Sequence, residues 1–239
     1  MQPLAIDLFC GLGGWTEGLL AEGYRVVGFD NERHMYGEAR YPAQLVIQDV
    51  LTLHGSQFKD AALIVASPPC QAYSYRAMPW KKAKALPPPD NTLFEACFRI
   101  KREAEDAAGG PIPMVVENVC GAQKWVGRAR WHYGSFYLWG DVPALMPIIR
   151  SRVAKRTSGH ANNARDVAAD GSKFSQSGAA WFDGTPRDKM LGDKGPAAYG
   201  SKSTARKAAS AHIAKIPLPL ARWVARAWHP DVLPLEMGA

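Results

Sequence analysis

Only four cysteines occur in the 239 residues, Cys10, Cys70, Cys97 and Cys120, and no two of them form a CxxC pair. That spacing supplies neither a zinc knuckle nor a disulfide-stapled mini-fold, so reduced thiols are expected. Three of the four are expected to be small buried hydrophobes. No apolar run approaches the roughly 18 residues that a membrane helix needs, and the N-terminus lacks the basic-then-apolar plan of a signal peptide. A soluble, cytoplasmic protein without membrane contact is the expectation. There is no internal repeat, no GxGxxG, no Walker lysine and no histidine near Cys70 in sequence. A nicotinamide enzyme, a P-loop enzyme and a Cys-His hydrolase are therefore disfavoured. The six histidines are scattered, and no ligand cluster suggests a metal.

What the sequence does have is an ordinary globular composition, 47% hydrophobic and 21% charged. A chain disordered throughout is excluded. The length suits one α/β domain, or one domain with a small insert.

The formal net charge of +7 is unevenly placed. Residues 1–150 hold 15 basic and 15 acidic side chains, residues 151–215 hold 12 and 5, and residues 216–239 hold 2 of each. The whole excess lies in the middle segment, which is rich in Gly, Ser, Ala and Asn and poor in large apolar residues. Such a stretch suits contact with a polyanion, because Lys and Arg displace phosphate counterions. A solvated loop has the same composition, and composition does not separate the two. The expected organisation is a catalytic domain at 1–150, a basic segment at 151–215 and a closing helix within 216–239.

Apolar runs of strand length recur and end at polar residues. Leu4 to Phe9 runs into CGLGGW, Tyr24 to Phe29 ends at Asp30, and Leu45 to Ile47 is followed by Asp49. Ala62 to Ala66 stops at SPPCQ, and Met114 to Val116 stops at Glu117-Asn118. Phe136 to Trp139 adds a further strand. Helices are expected from Thr16 to Ala21 and from Asn91 to Ala107. A closing helix is expected to bury Leu220, Trp223, Val224, Ala227 and Trp228, with Pro217 and Pro219 at its start and Pro230 at its stop. Alternation of this kind predicts an α/β fold with a doubly wound, mostly parallel sheet.

In such a sheet, ligands collect beyond the carboxyl ends of the strands. Asp7–Gly14, Asp30, Asp49, Pro68–Gln71 and Glu117-Asn118 are all expected there. Gly11, Gly13 and Gly14 permit positive φ and close backbone approach, for a ligand or for a merely structural turn. Asp30 and Glu32 suit ribose hydroxyls, and Asp49 an adenine amino group, although each acid alone also suits a helix cap. Cys70 follows two stiffening prolines at a strand's end, where a thiol faces the crevice and suits a nucleophile.

Together, DLFCGLGG at Asp7–Gly14, SPPCQAYS at Ser67–Ser74 and ENV at Glu117–Val119 resemble the cofactor loop, nucleophile loop and acid loop of the DNA cytosine-5 methyltransferases. The resemblance covers most of residues 1–120. It implies a class I methyltransferase fold, S-adenosylmethionine as cofactor and double-stranded DNA as partner, with no metal; a monomer is expected. By resemblance Cys70 adds to carbon 6 of a flipped cytosine and Glu117 holds N3 of the ring. Asn118 would brace the acid loop. Phe9, Gly11, Gly13, Gly14 and Leu93 would line the cofactor, with Asp30 at the ribose, Asp49 and Val50 at the adenine and Pro68 near the methionine moiety. The family's variable region reads the target from the major groove, which implies DNA contact for residues 151–215.

Two departures stand out. The family's Gln-x-Arg-x-Arg stretch is reduced to GRAR, from which Arg130 rather than Arg128 is assigned to Glu117 and the base. The closing motif, which in the family carries an Asn near the cofactor, reads AKIPLP here, with Lys215 nearby. The lean basic segment implies a short or relaxed recognition sequence, or reliance on a partner. Two other functions stay open: methylation of tRNA or another RNA with the same Cys and Glu, and a non-catalytic module that binds cofactor and DNA.

Overall fold

The computed structural model describes residues 2–73, 87–146, 207–208, 211–212 and 214–231. The basic segment expected at 151–215 lies almost entirely outside the described residues, as does the end of the SPPCQAYS motif.

A seven-stranded sheet organises the chain. Its strands are β1 (Leu4–Leu8), β2 (Arg25–Asp30), β5 (Gln44–Ile47), β6 (Ala61–Ala66), β7 (Met114–Asn118), β8 (Trp131–Tyr133) and β9 (Phe136–Gly140). They lie in the order β5-β2-β1-β6-β7-β9-β8, with a separate two-stranded hairpin of β3 (Met35–Tyr36) and β4 (Ala39–Arg40). The first five strands of that order are parallel; β9 is antiparallel to β7 and β8 to β9. This is the mostly parallel, Rossmann-like, doubly wound sheet that the sequence predicts. The strand order reverses between β1 and β6, which puts the ligand crevice of a doubly wound sheet at their carboxyl ends.

Side-chain alternation builds a core on each face. Ile6, Leu8, Ile64, Ala66, Met114 and Val116 point to one side, where helix α2 (Thr92–Ala108) covers them with Phe94, Cys97, Ile100 and Ala104. Ala5, Leu63, Val65, Val115 and Leu138 point to the other, beneath helices α1 (Gly14–Ala21) and α4 (Leu218–Ala227). A short helix α3 (Gln123–Val126) follows β7.

The closing helix packs against α1, but on a different face from the one expected. Its buried residues are Leu220, Ala221, Val224 and Ala225, whereas Trp223 is 40% exposed and Ala227 is exposed. The cause is the tightness of the crossing, since a Cβ on Gly18 would meet the Ala221 Cβ at 2.4 Å. Only small residues fit that seam. The indoles lie at its edges, with Trp223 Nε1 donating to the Leu145 carbonyl and Trp228 Nε1 to that of Asp141, both at 2.9 Å. Full burial of Leu220 and Val224 is worth roughly 1.5–3 kcal/mol each and ties the two ends of the chain together. Tyr24 adds to this by donating its hydroxyl to the Ala225 carbonyl at 3.0 Å.

Of the four thiols, two are buried, Cys10 and Cys97, not the three expected. Cys120 is half-buried in the turn after β7, with Gln123 Nε2 at 3.6 Å from its sulfur.

Candidate active site

The turn after β1 is held in an unusual conformation. Phe9 has φ 57°, the one non-glycine residue with positive φ among those described, followed by Gly11 at φ 50° and Gly13 at φ 77°. A left-handed non-glycine residue costs about 1–3 kcal/mol, so the surroundings must impose it. They do so through hydrogen bonds: Cys10 N donates to Phe29 O at 3.1 Å, Gly13 N to Cys10 O at 2.7 Å, and Gly11 N to Asp30 Oδ2 at 2.9 Å.

The glycines of this turn differ in what they face. A Cβ on Gly11 would meet nothing within 4 Å, whereas one on Gly13 would strike Pro42 Cδ at 2.5 Å and one on Gly14 the Ile216 nitrogen at 2.4 Å. Gly11 thus lines open space, while Gly13 and Gly14 seat the loop against its neighbours. Lys215 follows the same logic, lying against Gly14 and pairing with Glu17 at 2.5 Å. The altered closing motif still packs over the turn.

Asp7 is not in the crevice where it was expected. It is 1% exposed within β1 and faces α1, accepting a hydrogen bond from Thr16 Oγ1 at 2.6 Å; Thr16 in turn meets the Tyr41 hydroxyl at 2.7 Å. Tyr41 reaches this position by lying across Gly28, where any Cβ would be 2.3 Å from its ring. Strand alternation turned Asp7 inward, and burial pushes its carboxyl up to about 7.

Asp30 ends β2 and is 8% exposed, receiving the Gly11 and Glu32 amides and standing 3.4 Å from His34 Nε2. Glu32 is exposed and lies 3.6 Å from His34 Nδ1. Asp49 is exposed and caps a 3-10 turn by accepting from Leu51 N at 2.9 Å through Oδ1, while Val50 beside it is buried. Leu93 is half-buried in the first turn of α2.

The nucleophile and acid loops meet one strand away. Asn118, 1% exposed, donates its side-chain amide to the Pro68 carbonyl at 2.9 Å and accepts from Val119 N at 2.8 Å. Cys70 is half-buried, and the Tyr73 amide donates to its carbonyl at 3.0 Å. Tyr73 then reaches Asn91 at 2.9 Å, which ties the loop to the start of α2. Burial pushes the Cys70 thiol up, and the charge of Glu117 pushes it further. Glu117, 9% exposed, is itself pushed up to about 8 by burial, with a hydrogen bond from the Ser67 side chain acting against the rise. A carboxyl whose burial favours its proton therefore shares these strand ends with a thiol whose ionisation its charge would oppose.

Arg128 and Arg130 are both exposed. Arg130 leads into β8, which is separated from Glu117 by β9, and its amide donates to the Leu138 carbonyl at 2.9 Å. Among the described residues, no ion pair joins Arg130 to Glu117. Ser67 is a neighbour of the acid that sequence reasoning left without a role, and Trp15 Nε1 donates to its Oγ at 3.0 Å. Ser67 is visible as part of SPPCQ, but a partner 52 residues away leaves no periodic trace.

The donor set fits S-adenosylmethionine. The turn offers an unfilled cradle at Gly11, an acid ends β2 within reach of that turn, and Asp49 keeps one carboxylate oxygen free of its cap. Among the described residues, no group of three His, Cys, Asp or Glu side chains is placed to hold a metal ion, and no helix is long and apolar enough to cross a membrane.

The family model for C-5 cytosine-specific DNA methylase matches residues 4–126, just over half of the chain. Among solved structures, the chain is similar to a prophage-encoded protein of E. coli described as a DNA modification methyltransferase, at 22% identity and TM-score 0.35, over 52% of this chain and 34% of that one. It is also similar to the S. pombe Dnmt2 methyltransferase, at 18% identity and TM-score 0.35, over 52% and 36%. A third is the glycopeptide N-methyltransferase MtfA complexed with S-adenosyl-L-methionine, at 12% identity and TM-score 0.28, over 60% and 61%. The matched part spans about a third of the first two structures. No curated protein matches.

Proposed function

The chain belongs to the C-5 cytosine-specific DNA methylase family, and on that premise we propose that it methylates carbon 5 of a cytosine in double-stranded DNA through a covalent bond between Cys70 and carbon 6. S-adenosylmethionine, its cofactor, supplies the sulfonium methyl that an activated carbon 5 takes up. Phe9, Gly11, Gly13 and Gly14 would hold it at the turn, with Asp30 at the ribose, Asp49 and Val50 at the adenine, and Pro68 and Leu93 alongside.

The chain's own residues do the activation. Carbon 5 of cytosine is a poor nucleophile until a group adds at carbon 6. Cys70 gives its proton to solvent and its sulfur bonds carbon 6, which drives electron density into the ring. Glu117 donates to N3 and steadies the charge that forms there. Transfer of the carbon 5 proton to water, departure of the Cys70 thiolate and return of the N3 proton to Glu117 restore the aromatic ring.

One observation carries this reading: a half-buried thiol and a buried carboxyl stand at the ends of adjacent parallel strands, laced together by Asn118. When Glu117 is neutral, the carboxylate charge that disfavours the Cys70 thiolate is gone, so the protonated acid and the ionised nucleophile favour each other.

A stacked base exposes neither ring face, so the target cytosine is flipped into the crevice. The excess positive charge of residues 151–215 supports a role for that segment in holding the strands. Methyl transfer from labelled cofactor is to be measured on duplex DNA and on tRNA in parallel. Label in cytosine of the duplex is the expected result; label in tRNA alone would replace DNA by RNA as substrate, and label in neither would leave a binding module.

A further inference from the structure

The register of the sheet places one more polar side chain against the acid. Ala66 pairs with Val116, so the next residue of the β6 chain, Ser67, comes alongside Glu117. Alternation turns both side chains toward the face of Leu63, Val65 and Val115, the face covered by α1. Trp15, 2% exposed on α1, donates its indole N–H to Ser67 Oγ at 3.0 Å.

An indole nitrogen can only donate, so Ser67 must use an oxygen lone pair to receive it. That leaves the hydroxyl hydrogen and the second lone pair of Ser67 for another partner, and the register puts the Glu117 carboxyl next to it. The carbonyl oxygen of a protonated carboxyl is the better acceptor for that hydrogen, which leaves the proton-bearing oxygen for a ring nitrogen.

We propose that Ser67, held by Trp15, is a positioning residue for Glu117, fixing which carboxyl oxygen is occupied by the protein and which presents the proton to N3 of the cytosine. The catalytic part of this statement rests on the methyltransfer reading; the hydrogen-bond relay does not. Among the described residues, the titratable group coupled in charge to Glu117 is Cys70 on the loop after β6. From β9 the residue opposite is Leu138, which does not titrate.

The test uses the full chain carrying Ser67→Ala, Ser67→Thr or Trp15→Phe, each checked for a native melting transition. Two readouts are needed: the carboxyl titration of Glu117 by carbon-13 NMR, assigned with Glu117→Gln, and the kcat and KM of methyl transfer to duplex DNA. Loss of a hydrogen bond to the ionised form in Ser67→Ala is expected to raise the Glu117 midpoint by about one pH unit. Trp15→Phe should raise it less, and Ser67→Thr should restore it. Ser67→Ala should also lower kcat about tenfold while KM for S-adenosylmethionine stays within about twofold.

An unmoved midpoint in Ser67→Ala overturns the relay, and a moved midpoint with unchanged kcat overturns the positioning role. Wild-type protein that transfers no methyl group, yet shows the midpoint shift, would remove the methyltransfer reading and leave the relay standing.

Discussion

The side-chain amide of Asn118 donates to the carbonyl of Pro68 at 2.9 Å, both residues being buried. This one hydrogen bond joins the last residue of β7 to the loop that carries Cys70, so the acid and the nucleophile are held by a common brace. Asn118→Ala would leave the Pro68 carbonyl without its partner, at a cost of about 1–3 kcal/mol. Denaturant unfolding should show that loss. Methyl transfer should fall by more than cofactor affinity does, because the cofactor turn lies on β1; equal losses of both would assign Asn118 to the fold alone.

Gly11 and Gly13 provide a matched pair of tests. Gly11→Ala meets no protein atom within 4 Å, so its cost to folding should be only the left-handed strain, about 1–2 kcal/mol. Its Cβ would enter the space assigned to the cofactor, and the Kd for S-adenosylmethionine should rise at least about tenfold. Gly13→Ala drives a Cβ into Pro42 at 2.5 Å and should destabilise by about 2–5 kcal/mol. Calorimetric titration and thermal melts of the two variants separate the effects; unchanged cofactor affinity in Gly11→Ala would move the cofactor away from this turn.

Asp7 makes stability depend on pH with a definite sign. Burial raises its folded value from 3.8 to about 7, so the folded chain holds a proton that the unfolded chain releases above about pH 4. Its contribution is fully present below pH 4 and is lost as pH rises to 7, by about 4 kcal/mol. Asp7→Asn keeps an acceptor for Thr16 and removes the ionisation. The stability of the variant relative to wild type should therefore grow between pH 4 and pH 7 and then level off, as measured by denaturant midpoints. A difference independent of pH would show that Asp7 ionises freely in the folded protein.

The five parallel strands were legible because each is an apolar run stopped by a polar residue, and the long amphipathic helix α2 because Phe94, Cys97, Ile100 and Ala104 recur on one face. Strand β8 and the β3-β4 hairpin were not, since two or three residues carry no period. The face of α4 was misread because sequence weights Trp over Ala, whereas Gly18 sets a seam too narrow for an indole. Within the site, Cys70, Glu117 and the glycine turn could be named from their motifs. The inward turn of Asp7 and the Trp15 to Ser67 hydrogen bond depend on register and on contacts 9 and 52 residues apart, which no local pattern records.

The most direct measurement is covalent trapping on duplex DNA containing 5-fluorocytosine, in the presence of S-adenosylmethionine. Fluorine at carbon 5 cannot leave as a proton does, so attack followed by methyl transfer stops at a stable protein–DNA adduct. The wild-type chain is predicted to form an adduct resistant to denaturation, mapped by mass spectrometry to Cys70, and Cys70→Ala to form none. An adduct on another residue, or one that persists in Cys70→Ala, would contradict the assignment of this thiol as the nucleophile.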